Sequence, residues 1–389
     1  MTRKVAFLVG LAAALGVNQA QAVDWNWNGD VRERYESQLL DKDSAPGAPG
    51  LDRNRLRVRL GVYPWINDEL SAGVQLSTDT NNTAVSNTIT RNQNFGQAYL
   101  PKNIYLNEEF IDYHPKSYCL DGKVNIILGK RDVSNTLIRV DNLVYSSDLS
   151  IEGATLQYGK DGNGKEKDGV ILVAGYYFVD ELASTTNTSP AMYLAQGAYK
   201  GDINEVSYLF GAGYNVYRSL QNLTSFVDGN TTTSPASVPA NWTHSGYDIA
   251  EFFGKVGGQL TDTLPWKVYG QYALNTADHV DYSSIDNNKR NAWLAGVTIG
   301  DAKQVGQWAL DAKYTRIERD AVFPLVTDAN RKVTDIVNIK GFEVAATYHL
   351  VQNMTIGARY YNYSNINDST VPAVNPTLHQ LQLDAMVKF

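Results

Sequence analysis

From Arg55 to Tyr63 the chain reads RLRVRLGVY, which puts Leu56, Val58, Leu60 and Val62 on one side and Arg55, Arg57 and Arg59 on the other. A two-residue period of this kind marks a β-strand whose faces meet different surroundings. Related segments predict strands at about 25–37, 53–63, 69–78, 103–114, 122–131, 151–159, 169–180, 191–200, 204–217, 247–260, 266–275, 291–300, 307–319, 340–350, 353–364 and 377–389, sixteen in all. Val206, Tyr208, Phe210, Ala212, Tyr214 and Val216 share one face; so do Phe342, Val344, Ala346, Tyr348 and Leu350. Segments 169–180 and 191–200 are apolar on both faces and 103–114 has no clean alternation, so their registers stay open.

The connections alternate in length. Short ones fall near 64–68, 115–121, 160–168, 201–203, 261–265, 301–306 and 351–352; long ones lie around 38–52, 79–102, 132–150, 181–190, 218–246, 276–290, 320–339 and 365–376. Short turns at one end, long loops at the other and an even strand count fit a transmembrane antiparallel β-barrel, an all-β fold. A propeller would show a repeat of about 40–50 residues, and none is found. An arginine facing lipid at mid-membrane costs roughly 2–4 kcal/mol, and three cost about 6–12, so Arg55, Arg57 and Arg59 are expected to point into the lumen.

The start of the chain places it outside the cytoplasm. Arg3 and Lys4, the apolar run Val5 to Val17, and Ala20-Gln21-Ala22 have the order of a secretory signal peptide. Cleavage is expected after Ala22, giving residues 1–22 as signal and 23–389 as barrel. The mature chain then holds 32 basic and 41 acidic residues, a net charge of −9, which argues against a nucleic-acid partner. Beyond Val17 no apolar run is long enough for a transmembrane helix. The low mean hydropathy of −0.31 suits a barrel, because lipid-facing residues alternate with polar lumen residues. Cys119 is the sole cysteine, which rules out an internal disulfide or a cysteine zinc cluster.

The last nine residues, LQLDAMVKF, put Leu381, Leu383, Ala385, Val387 and Phe389 in phase and end on an aromatic ring. This pattern resembles the sorting signal read by the outer-membrane barrel assembly machinery. Trp25, Trp27, Trp65 and Trp266 sit at strand ends, as girdle aromatics do. Other chemistry is thin. Lys160-Asp-Gly-Asn-Gly-Lys165 lacks the alternating acids of a calcium loop and is read as a turn. His114, His244, His279, His349 and His379 have no metal spacing, and His244-Ser245 lacks an orienting partner for nucleophilic catalysis. No cofactor is expected.

Several stretches together resemble the bacterial outer-membrane family of putative porins. They are LNEEFIDYHP at Leu106–Pro115, LGKRDVSNTLIRVDNLVYSSDLSIEGATLQYGK at Leu128–Lys160, YTRIERDAVF at Tyr314–Phe323 and the C-terminal strand. Such porins tend to continue an opening Gly-Lys-apolar motif with Asn-Pro. Here Gly129-Lys130-Arg131-Asp132 carries no proline, which leaves the path of the central loop open. The resemblance implies a non-enzymatic, water-filled channel for passive diffusion of small polar solutes and ions, surrounded by outer-membrane lipid. The alternation of short and long connections leaves both termini periplasmic, and a homotrimer is an expectation by analogy with general porins alone.

By analogy with general porins, the third long loop, 132–150, is expected to fold inward as the constriction. Its acids Asp132, Asp141 and Asp148, with Glu152 just beyond, would face a basic wall of Arg32, Arg34, Arg55, Arg57 and Arg59. Opposed charges across a low-dielectric pore orient dipolar solutes and reject apolar ones. Arg139 and Lys130 are further candidates, Glu36 a neighbour for the arginines, and Glu33 stands out of phase. The competing readings are an eighteen-stranded substrate-specific channel, if strands hide in loops such as 218–246, a barrel enzyme with a His-centred rim, and an adhesin without an open lumen.

Overall fold

The computed structural model describes residues 23–41, 50–79, 90–96, 99–117, 122–182, 188–222, 226–228, 231–233, 246–278, 289–333, 336–366 and 376–389. The expected signal segment 1–22, Cys119, His244, Ser245 and His279 lie outside them.

Sixteen strands form one antiparallel sheet that closes on itself. They are β1 Asp24–Leu40, β2 Leu51–Asn67, β3 Leu70–Thr78, β4 Ile104–Tyr113, β5 Val124–Asp132, β6 Ser150–Tyr158, β7 Gly169–Phe178, β8 Ala191–Ile203, β9 Val206–Arg218, β10 Asp248–Thr261, β11 Leu264–Asn275, β12 Asn291–Gly300, β13 Trp308–Ile317, β14 Ile339–Val351, β15 Met354–Asn365 and β16 Thr377–Lys388. Closure comes from β1, which pairs with β2 on one side and with β16 on the other, Val31 opposite both Val58 and Val387. Closure satisfies every ladder and leaves no edge. Each predicted strand is present, with ends shifted by a few residues.

Among the described residues three further short strands lie outside the sixteen. Gln93–Asn94 pairs with β2 at Leu56 and Arg55, just past the end of β3. Phe226–Asp228 and Thr231–Thr233 pair only with each other. The described part of the long loop after β9 therefore adds nothing to the barrel sheet, and the eighteen-strand alternative falls to the sixteen-strand closure.

Inside and outside follow the two-residue period. On β1, Asp30, Arg32, Arg34 and Glu36 are buried toward the lumen, while Val31, Tyr35 and Leu39 are exposed outward. The registers left open by sequence now have causes. In β4 the pairing with β3 shifts between Gln75 and Leu76, so Asn107 is an extra residue, and a bulge of this kind breaks the alternation. In β7, Val170 and Leu172 face outward while Ile171, Val173 and Tyr177 are buried inside. In β8, Tyr193 faces outward while Met192 and Leu194 are buried inside.

The reason for apolar inner faces is a dry cluster within the barrel. The third long loop, residues 133–149 (loop 3), enters the lumen after a short helix, α1 (Val133–Thr136). Its Leu137, Ile138, Leu143, Val144 and Tyr145 share one buried cluster with inner-face residues of strands from β6 to β16. Ala321, Val322, Phe323, Val333 and Val337 of the loop after β13 (loop 7) join the same cluster. Complete burial of Leu137, Ile138, Leu143 and Val144 stabilises the docked loop by roughly 6–12 kcal/mol, at about 1.5–3 kcal/mol each.

Candidate functional site: the lumen and loop 3

The basic wall is built by cross-strand register. On β1 and β2, Asp30 stands opposite Arg59, Arg32 opposite Arg57, Arg34 opposite Arg55, and Glu36 opposite Arg53. Arg32, Arg34, Arg55, Arg57 and Arg59 all point into the lumen, as the membrane penalty requires. Most of their charge is met at once by carboxylates. Asp30 accepts from Arg57 Nε at 2.9 Å and from Arg59 Nε at 2.5 Å. Glu36 accepts from Arg53 Nε at 2.6 Å and Arg55 Nη1 at 3.4 Å. Asp384 takes a two-pronged pair of bonds from Arg34 at 2.6 and 2.7 Å. Arg32 instead donates to the side chain of Asn92 at 2.5 Å.

The four predicted acids part company. Asp148 reaches the wall, where Arg57 Nη1 donates to it at 3.3 Å. Asp132 caps α1, accepting from the Asn135 backbone N at 3.0 Å and the Asn135 side chain at 2.6 Å. Asp141 points away from the arginines and accepts from Lys313 Nζ of β13 at 3.0 and 3.2 Å. Burial opposes its charge, yet Lys313 and Arg331 hold its pKa down to about 2.

Glu152 is a correction. It is exposed on the outer surface, because Ile151 beside it packs inward and a strand alternates its sides. Its cross-strand neighbour Lys130 shares that outer row and is likewise no part of the lumen. Arg139 is folded into loop 3 itself, donating to Asn142 Oδ1 at 2.6 Å and the Tyr145 carbonyl at 2.7 Å. Trp65 is a second correction: it lies inside, stacked on His114 with ring centres 4.9 Å apart, rather than in the outer girdle.

Loop 3 is held on three sides. Gln196 of β8 receives a bond from Ile138 N at 2.9 Å and donates to Ile138 O at 3.1 Å. From loop 7, Thr327 Oγ1 donates to Leu143 O at 3.1 Å, and Val326 O accepts from Ser146 N at 2.7 Å. From below comes the turn 159–168, whose fully buried Lys160 donates to Leu137 O at 2.7 Å. Gln157 adds a bond to Thr136 O at 2.7 Å.

What remains open is on the other flank. A cavity of about 800 Å³ lies against β1 to β5 and the start of loop 3, lined by Asp30, Arg57, Arg59, Tyr63, Trp65, Glu108, Phe110, Arg131, Asp132 and Asp148. Sequence reasoning missed Glu108, because the Asn107 bulge puts it on the lumen side out of phase. It also missed Arg131, which donates to buried Asp112 at 2.9 Å, and Lys313. Among the described residues no group of acids, histidines or cysteines is arranged to hold a metal.

A closed sixteen-stranded barrel with an apolar exterior, a charged lumen and a loop folded into it is the architecture of an outer-membrane porin channel. The chain belongs to the putative porin family, whose model matches residues 47–227 and 155–389. Among solved structures it is similar to OprB of Pseudomonas putida, at 11% identity and a TM-score of 0.54, with 94% of each chain covered. It is also similar to a triple mutant of the Rhodopseudomonas blastica porin, at 12% identity and a TM-score of 0.48, covering 94% of this chain and 100% of that one. For OmpT of Vibrio cholerae the figures are 13% and 0.46, covering 95% and 99%. At such identities the OprB likeness speaks for the fold alone. No curated protein matches the chain.

Proposed function

We propose that this porin is a non-enzymatic, water-filled channel for passive diffusion of small polar solutes and ions, narrowed where loop 3 meets the β1–β2 wall. The observation that carries the reading is the Arg57–Asp148 contact across the lumen, with the charged cavity directly beside it. In this reading both termini are periplasmic, residues 1–22 are removed on export, and the assembly machinery takes hold of Leu381–Phe389. Planar-bilayer recording of the purified mature chain tests it. Stepwise ohmic currents are expected, and a sealed barrel would overturn it.

We further propose that the chain assembles as a homotrimer through one arc of its wall. Among the described residues, outward charges set at least two residues inside a strand end are Glu33 on β1, Glu109 on β4, Lys130 on β5 and Glu152 on β6. Glu109, Lys130 and Glu152 form one cross-strand row. The outer faces of β7 to β14 carry no such charge. A lysine facing lipid at mid-depth costs roughly 2–4 kcal/mol. A second copy, offering polar groups of its own, relieves that cost.

A further inference from the structure

We infer that Arg32, together with Asn92 and Arg57, forms a binding site for small oxyanions on the channel wall; this rests on the diffusion-channel reading and names a solute class for it. The inner wall of β1 and β2 presents six arginines, at 32, 34, 53, 55, 57 and 59, and four carboxylates pair with them: Asp30, Glu36, Asp148 and Asp384. Arg32 is the member left over. The acids whose charge reaches it are Asp148 and Asp384, and each already holds another arginine, Arg57 and Arg34 respectively.

Two donors of the cluster have no protein partner among the described residues. Arg32 is 9% exposed, and its Nε has no hydrogen-bond partner among the described residues. A guanidinium only donates, so its bond to Asn92 fixes the amide with Oδ1 toward Arg32 and Nδ2 turned away. That Nδ2 is also buried and has no partner among the described residues. Among the described residues Arg57 Nη2 faces the sulfur of Met386, at 3.9 Å. A buried donor without a partner is destabilising, and more so when charged, which an oxyanion at Arg32 relieves. A carboxylate or phosphate brings several acceptor oxygens to these donors and charge to the surplus arginine; an apolar or cationic solute brings neither.

The test uses the purified mature chain in planar bilayers with potassium chloride, to which acetate or inorganic phosphate is added in separate arms. In wild type, chloride current is expected to fall along a saturating curve with one or both anions; the arm that saturates identifies carboxylate or phosphate. Arg32→Gln is expected to weaken that apparent affinity by about threefold to tenfold, as loss of one unit charge near contact implies. Asn92→Ala, outside the barrel strands, is expected to weaken it in the same direction. The exposed rim variant Arg218→Gln serves as the unaffected control. Strictly linear dilution in wild type, or saturation unchanged in both Arg32→Gln and Asn92→Ala, would overturn the site while leaving the channel standing. No stepwise current from wild type would sink the channel reading, and this inference with it.

Discussion

Replacing Asp141 by Asn asks how firmly loop 3 is docked. The Asp141 carboxylate accepts two bonds from Lys313 Nζ, at 3.0 and 3.2 Å, and one from Asn142 N at 2.6 Å. Lys313 keeps Glu343 at 3.4 Å, so the variant does not strand a buried lysine. Burial raises the pKa of Asp141, but Lys313 and Arg331 win and hold it at about 2, against 3.8 for a free side chain. That difference stabilises the docked loop by about 2 kcal/mol, relative to a loop whose Asp141 faces water. Because the docked pKa is the lower one, the contribution is fully present above pH 4 or so and is lost as pH falls through about 2. Asp141→Asn is therefore expected to raise the undocked population about thirtyfold at neutral pH. In single-channel recordings this appears as more frequent flicker and open-channel noise. Wild type taken to pH 2.5 should move toward the behaviour of the variant, whereas the variant itself should change little between pH 5 and 2.5. A variant as quiet as wild type, or a wild type that stays quiet down to pH 2, would refute the anchoring role.

Other expectations follow from the same geometry. Arg57→Glu adds an acid where Asp148 already stands, so reversal potentials in a salt gradient should move toward cation preference; no movement would refute the basic-wall reading. Burial depresses Lys160 to about 8, even though Glu166 pulls it back up. Stability should therefore rise between pH 8 and 10.5, by about 3 kcal/mol, and denaturant unfolding of Lys160→Met should lack that increment. Gly164 has φ +80°, and a Cβ there would stand 2.3 Å from the Asn135 carbonyl oxygen. Gly164→Ala should cost about 1–3 kcal/mol, read as a lower unfolding midpoint. Lys130→Glu would turn the outer row into three adjacent acids, and light scattering in detergent should show trimers giving way to monomers, with Lys340→Glu at a strand end as the unaffected control.

The strands were legible because the lipid penalty writes itself into alternation. Arg55, Arg57 and Arg59 cannot face outward, and that alone sets β2 and, through pairing, β1. The lumen was less legible, since a side chain's inward direction does not say what it meets. Asp141 and Asp148 look alike in the sequence, yet one binds Lys313 across the barrel and the other binds Arg57 on the wall. Glu152 failed for a simpler reason: its nearness to loop 3 along the chain outweighed its parity within β6. Glu108 was hidden by one inserted residue, Asn107, which no periodicity argument finds without the partner strand. Glu33, out of phase in β1, is an outward residue after all.

The two-faced apolar strands β7 and β8 set the position of the pore. Ile171, Val173, Met192 and Leu194 face inward with no polar group to hold water, so that flank of the lumen is stable only when covered. Loop 3 and loop 7 cover it, and their mutual bonds at Leu143 and Ser146 make one insert of the two loops. The charged cavity lies on the flank opposite that insert, where β1 to β5 supply arginines and acids. In the proposed channel, an off-centre passage follows from which strands are greasy on their inner side. Substituting both Val173 and Leu194 by Thr would remove the reason for docking without touching a charge. The expected result is a larger and noisier conductance with ion preference moved toward neutrality. Unchanged conductance in that double variant would mean that the polar anchors hold loop 3 by themselves, and that apolar burial does not place the pore.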